Sequence, residues 1–246
     1  MLIDFGQRIF RKLFFLGVRL YGKDPLTFLD IDSRKLKFKT YGTKYGGWAI
    51  PNSLVDSDSV CYLAGCGEDI SFDLELIRNF NCHVYAFDPT PRSITYVKDR
   101  TVGVKNYHFS PYGIWSSTDR LKFFVPKNPN FVSHSITNLN KTENYLELEV
   151  KSLMDLMSLN NHSSIDLLKI DIEGAEYEVI DSMLKNHISV GIFCVEFDEY
   201  SKPLDEHSTK RIRNYLKKLL DAGFFLAHVQ GYGNYTLIHE SYLHIR

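Results

Sequence analysis

Short, continuous apolar runs alternate with helical patterns along most of this chain, and that alternation leaves few folds open. Residues 60–64, 84–87, 165–170 and 190–197 are each apolar, a few residues long and bounded by Gly, Pro or acidic residues, as fully buried strands are. A helical pattern runs over residues 71–80. Tyr177, Ile180, Met183 and Leu184 share one helical face, as do Ile212, Tyr215, Leu216, Leu219 and Leu220 ahead of Gly223, a natural helix stop. Residues 121–125, 224–229 and 235–239 add strand candidates, and residues 126–145 read as an irregular insertion. Residues 27–40 read as two short extended runs, and Tyr45-Gly46-Gly47-Trp48 with Pro51 as a loop. Strands alternating with helices predict an α/β fold, doubly wound around a mostly parallel sheet covered on both faces. Ligands of such sheets bind beyond the carboxyl ends of the strands, so chemistry is to be sought there.

The chain has 246 residues, enough for one large domain. The expected organisation is an N-terminal helical and β extension over residues 1–50, packed on a body over residues 51–246. The extension holds ten Lys/Arg against four Asp/Glu, and the body nineteen against twenty-six. An acidic body argues against a nucleic-acid channel. Residues 9–21 are apolar but interrupted by Arg11, Lys12 and Arg19, too short and too charged for a transmembrane segment. A docked helix is expected there, with weak contact to an anionic membrane surface as the alternative. Cys61, Cys66, Cys82 and Cys194 form no CxxC pair and sit in or beside apolar runs, which suits reduced thiols and a cytoplasmic protein.

Four strand ends carry the polar residues that need explaining. Gly65-Cys66-Gly67-Glu68-Asp69 joins a strand to a helix, where glycines admit a ligand close to the backbone and free N–H groups face it. Asp88, before Pro89 and 21 residues beyond Gly67, is spaced to accept hydrogen bonds from ribose hydroxyls, or to open the turn and cap the next helix. The third end is Asp171-Ile172-Glu173-Gly174-Ala175-Glu176-Tyr177-Glu178. Glu176 and Glu178 suit a helix's first turn, whereas Asp171 and Glu173, at the strand tip, call for a nearby positive group such as Lys169. The fourth end is Glu196-Phe197-Asp198-Glu199.

Residues 165–180 closely resemble the signature segment of the FkbM-type methyltransferase family, and Tyr85-Ala86-Phe87-Asp88-Pro89-Thr90-Pro91 is similar to its second motif. The resemblance extends from about Val60 to the C-terminus and takes in Ser135 and Glu196. It implies a class I, Rossmann-like methyltransferase fold with a seven-stranded sheet, S-adenosylmethionine as cofactor, and transfer to a hydroxyl of a sugar or small metabolite. Gly65, Cys66, Gly67, Asp88, Pro89 and Asp171 would then hold the cofactor, with Glu68 or Asp69 on its ammonium group. Three departures mark this chain. Tyr62 stands where the family has an acid before the first glycine, the glycines are displaced to Gly65 and Gly67, and Glu196-Phe197-Asp198 replaces an E-x-H.

Methyl transfer needs alignment and, for a hydroxyl, a proton acceptor. Asp171 is assigned to positioning and Glu196 or Glu173 to acceptor contact, with His134 an outlying candidate. A divalent metal held by Asp171, Glu173 and Glu196 is a variant of the same reading. Two other classes stay open: a nicotinamide-dependent oxidoreductase, suggested by the glycines and Asp88, and a non-catalytic methyltransferase-like binding protein. Ile70 stands where GxGxxG would place its third glycine, which weighs against the oxidoreductase.

Overall fold

A computed structural model of the chain describes residues 17–18, 20–128, 132–139 and 141–244. Most of the basic N-terminal segment, and with it the expected docked helix, lies outside the described residues.

Seven strands form the central sheet. In chain order they are β3 (Val60–Ala64), β4 (His83–Phe87), β5 (Tyr107–Ser110), β9 (Ile165–Ile170), β10 (Val190–Glu196), β11 (Phe224–Gln230) and β12 (Asn234–His239). Their spatial order is β11-β12-β10-β9-β3-β4-β5. The five strands from β5 to β10 are parallel, and β12 runs antiparallel between β10 and β11. Chain order therefore reverses between β3 and β9, and a crevice opens at their carboxyl ends.

Two helices, α1 (Ser71–Phe80) and α2 (Pro91–Arg100), cover one face of this sheet; α3 (Leu153–Asn160), α4 (Glu176–Lys185) and α5 (Ser208–Asp221) cover the other. Alternation along the strands divides the core accordingly. Cys61, Leu63, Val84 and Ala86 pack with Phe72, Leu76 and Val97, while Ala64, Leu168, Phe193 and Val195 pack with Leu156, Val179, Ile180, Ile212 and Leu216. Each buried Leu, Ile, Val or Phe among them contributes roughly 1.5–3 kcal/mol. Helix α5 ends where the sequence placed its stop: Gly223 takes φ +94°, and its N–H reaches the Leu220 carbonyl at 3.0 Å. All four cysteines are free and buried.

The front of the chain departs from expectation. Between residues 27 and 41 only β1 (Phe38–Tyr41) is a strand, and it pairs antiparallel with β2 (Trp48–Pro51), which was read as loop. The Gly46-Gly47 pair and Pro51 suggested a break, but Pro51 ends a strand in a two-stranded ribbon, where its missing N–H breaks no inner ladder. The ribbon is tied to the far end of the main sheet: Gln230 bonds the Ala49 N–H and the Gly47 carbonyl, and Thr236 donates to the Ala49 carbonyl. Between β5 and β9 the chain adds a second sheet of β6 (Gly113–Trp115), β7 (Asp119–Phe124) and β8 (Tyr145–Ser152). Among the described residues, no helix is long and apolar enough to cross a membrane.

Candidate active site at the strand tips

A cavity of about 290 Å³ lies over the carboxyl ends of β4, β3, β9 and β10, near the lower end of the ~300–1,000 Å³ typical of small-molecule sites. Its floor explains the displaced glycine. Gly65 sits at φ +82°, and a Cβ there would collide with the Asp171 carbonyl oxygen, because the end of β9 passes directly against it. The Gly65 N–H reaches back to the Phe87 carbonyl at 3.0 Å. Beneath this turn Lys169 is 7% exposed, and its Nζ donates to the carbonyls of Ala64 (3.2 Å) and Gly65 (3.0 Å) and to Asp171 Oδ2 (3.4 Å). Burial works against the charge of Lys169, but the carboxylates of Asp171, Asp73 and Glu196 outweigh it and raise its pKa. The positive group that the acids at the tip of β9 required is thus Lys169.

On the β4 side, Asp88 does what its turn-forming reading required and also reaches the glycine loop. Its Oδ1 accepts from the Thr90 N–H (2.9 Å) and hydroxyl (2.6 Å), and its Oδ2 from the Gly67 N–H (3.0 Å). A carboxylate offers about four lone-pair sites, so one remains for a ligand. Cys66 is buried beside it, and burial pushes its thiol well above the ordinary value. Pro89 lines the same wall.

The two acids assigned to an ammonium group have other work. Glu68 forms a two-pronged pair with Arg92, at 3.0 and 2.7 Å. Asp69 accepts from the Ser71 N–H (2.9 Å) and the Thr43 hydroxyl, which ties the loop before β2 to the start of α1. Burial raises the Asp69 carboxyl, but the bonds from Ser71 and Thr43 prevail and hold it below its ordinary value. Tyr62, in the place of the family's acid, points the other way: it is fully buried, with its hydroxyl against Asn160 and His162.

Beyond Asp171 the chain makes a tight loop. Glu173 takes φ +54°, a strained conformation for a residue with a side chain. Three contacts hold it: the Ser135 hydroxyl donates to its carbonyl (2.6 Å), Lys202 Nζ lies 2.8 Å from its Oε2, and Glu176 accepts from the flanking N–H groups of Ile172 (3.2 Å) and Gly174 (3.1 Å). Glu176 therefore serves as a buried brace for this loop, a closer role than complementing the dipole of α4; burial raises its carboxyl. Ser135, from the irregular insertion, brings that segment against the site.

At the tip of β10 the acids part company. Glu196 accepts from Asn234 Nδ2 at 2.9 Å; burial, with Asp171 nearby, pushes its carboxyl up to about 7 against the pull of Lys169. Asp198 is 8% exposed and lines the cavity, and burial in the field of Glu176, Asp171, Glu173 and Glu196 raises it well above the carboxylate range. Glu199 turns away from the cavity and accepts from Tyr177 (2.7 Å) and Arg211 (2.6 Å). His134 lines the cavity with its Nδ1 2.8 Å from the Val132 carbonyl. Among the described residues, no three His, Cys, Asp or Glu side chains form a metal-ligand set. Asp171 and Glu173 face Lys169 and Lys202.

Sequence reasoning missed Asp73, Tyr45 and Lys202, all on the cavity wall. Burial raises Asp73 to about 6, with the Tyr107 hydroxyl at 2.9 Å. An acid between Phe72 and Leu76 on the apolar side of a helix was the available signal; nothing near Lys202 marked it.

Comparison with curated proteins gives no match. Among solved structures, Methyltransferase FkbM from Methylobacillus flagellatus KT is similar at 11% identity and TM-score 0.46, over 75% of this chain and 44% of that one. This chain thus spans under half the length of that relative. A pre-rRNA processing fibrillarin from Methanococcus jannaschii is similar at 12% identity and TM-score 0.45, over 85% and 84% of the two chains. The precorrin-6y C5,15-methyltransferase of Geobacter metallireducens GS-15 follows at 12% identity and TM-score 0.42, over 80% and 92%. The model of the methyltransferase FkbM domain matches residues 66–226, which take in both glycine-loop acids, Asp88 and every acid at the tips of β9 and β10. The chain belongs to the FkbM methyltransferase family.

Proposed function

We propose that this methyltransferase uses S-adenosylmethionine and methylates a hydroxyl of a sugar or other small metabolite. The residues present suit that cofactor: at Gly65 the backbone leaves no room for a side chain, and Asp88 keeps an acceptor site beside the Gly67 loop. Gly65, Cys66, Gly67, Asp88 and Pro89 would hold its nucleoside part. With Glu68 and Asp69 engaged elsewhere, its ammonium group falls to Asp171, whose side chain is 33% exposed. When bound, the cofactor supplies a methyl carbon made electrophilic by a sulfonium.

The observation that carries the hydroxyl reading is Glu196. A general base works best when its pKa lies near the operating pH, and a half-buried carboxyl at about 7 beside a cavity meets that condition. Glu196 would take the proton of the acceptor hydroxyl, a contribution worth roughly 10²–10⁴-fold, while the cofactor would supply the methyl carbon and leave as its thioether. Asp171, fixed by Lys169, and Glu173, fixed by Lys202, orient the reactants. Calorimetry with S-adenosylhomocysteine and NAD tests the reading. Binding of S-adenosylhomocysteine alone is expected; binding of NAD alone would make the protein an oxidoreductase-like binder, and binding of neither would remove the cofactor assignment.

A further inference from the structure

The four cavity-lining acids at the tips of β9 and β10 do not share the positive charge around them equally. Asp171 has Lys169 and Glu173 has Lys202. Glu196 bonds the neutral Asn234 amide and feels Lys169 without forming an ion pair with it. Asp198 has no such partner: its Oδ2 is buried without a hydrogen bond among the described residues, although the side chain lines the cavity. Tyr45 and Asp73 on the same wall and Glu176 behind it add no positive charge, and His134, also on the wall, has its Nδ1 against the Val132 carbonyl. Lys169 and Lys202, ion-paired with Asp171 and Glu173, act on Glu196 and Asp198 only at longer range, so among the described residues neither of these two carboxyl groups has an ion-pair partner. A buried polar atom with no partner is costly and rare in folded proteins, and a ligand that completes it is one of the few reasons for keeping it.

We infer that the acceptor carries an ammonium group as well as the hydroxyl to be methylated, and that Asp198 binds the ammonium while Glu196 takes the hydroxyl proton. The substrate class is an amino sugar or amino alcohol; this rests on the methyltransferase reading above. Asp198 lies past the tip of β10, whereas Gly65, Gly67 and Asp88 lie on β3 and β4 with β9 between them, so the ammonium site falls on the side away from the nucleoside. Burial and the neighbouring acids work against the charge of Asp198, and an ammonium group beside it would offset both.

The test is calorimetry on the full chain loaded with S-adenosylhomocysteine, titrated with glucosamine, galactosamine and 2-aminoethanol and with their N-acetyl counterparts. Each amine is expected to bind roughly tenfold or more tighter than its N-acetyl form, as a charge-assisted contact allows. Asp198→Asn should abolish the preference while leaving S-adenosylhomocysteine affinity within about twofold, and Asp198→Ser should do the same if Asn alone perturbs the fold. Equal binding of amine and N-acetyl forms, or binding of neither, overturns the inference. Loss of S-adenosylhomocysteine binding in both variants also overturns it, by assigning Asp198 to the cofactor. If the parent chain binds no S-adenosylhomocysteine, the cofactor reading fails in its own titration, and the amine preference is then read on the unloaded chain.

Discussion

Replacing Glu196 with Gln makes a prediction that does not require the acceptor to be known. The Glu196 carboxyl lies at about 7 in the folded chain against an ordinary 4.5, raised first by burial and then by Asp171. Between those values the folded state holds a proton that the unfolded state has released, so stability falls as pH rises through this window. Below 4.5 the residue costs nothing, because both states are protonated; above 7 the full cost applies. At 1.36 kcal/mol per unit of pKa the rise amounts to about 3 kcal/mol. Gln is neutral throughout and keeps a carbonyl oxygen for the Asn234 amide. Urea unfolding of parent and Glu196→Gln at pH 4.5 and pH 8 should therefore show nearly equal stability at the lower pH and a gain of about 3 kcal/mol for the variant at the higher. Turnover should fall by roughly 10²–10⁴-fold, with the rising limb near pH 7 lost. A stability difference that stays flat across this range would refute the argument, since it would mean that Glu196 is solvated and ionises normally.

Asp88→Ala should weaken S-adenosylhomocysteine binding by about 1.5–3 kcal/mol, both by removing an acceptor and by releasing the Gly67 loop; unchanged affinity in a folded variant would remove Asp88 from the site. Gly65→Ala places a side chain at φ +82°, a left-handed conformation that costs about 1–2 kcal/mol, and drives it into the Asp171 carbonyl. Calorimetry on that variant should show S-adenosylhomocysteine affinity down at least about tenfold, and parent-like affinity would show that the crevice between β3 and β9 is not where the cofactor sits. Arg211→Ala leaves Glu199, which is 1% exposed, without its guanidinium partner and should cost about 3 kcal/mol in urea unfolding. A loss under about 1 kcal/mol would show the pair to be solvent-screened.

Where the chain punctuates itself, the fold was legible. The limits of β3, α1 and β9 read from sequence coincide with those observed, because Gly65, the polar Asn81 and Asp171 stop each element at one residue. The misses have causes of equal plainness. Strand β8 alternates Leu146, Leu148 and Val150 with Glu147, Glu149 and Lys151, a half-buried pattern that lay hidden beside an irregular insertion. Helix α2 opens with Pro91 at its first position, a start signal overshadowed by the turn at Asp88-Pro89.

The candidate site was legible as a set of acids but not as a set of partnerships. Lys202 and Arg211 come from segments after β10, and only folding decides that the first meets Glu173 and the second Glu199. Alternation takes the argument one step further. The backbone remains extended through Phe197, so Glu196 and Asp198 point to one side and Phe197 to the other, into the core between Tyr177 and Tyr235. A 3-10 turn over Asp198–Tyr200 then swings Glu199 back toward α4 and α5, where Tyr177 and Arg211 satisfy it. Of three acids within four residues, one is neutralised by the scaffold and two, on the same side, are left facing the cavity. That division follows from strand geometry and one turn, and it leaves two carboxyl groups without an ion-pair partner on the cavity side.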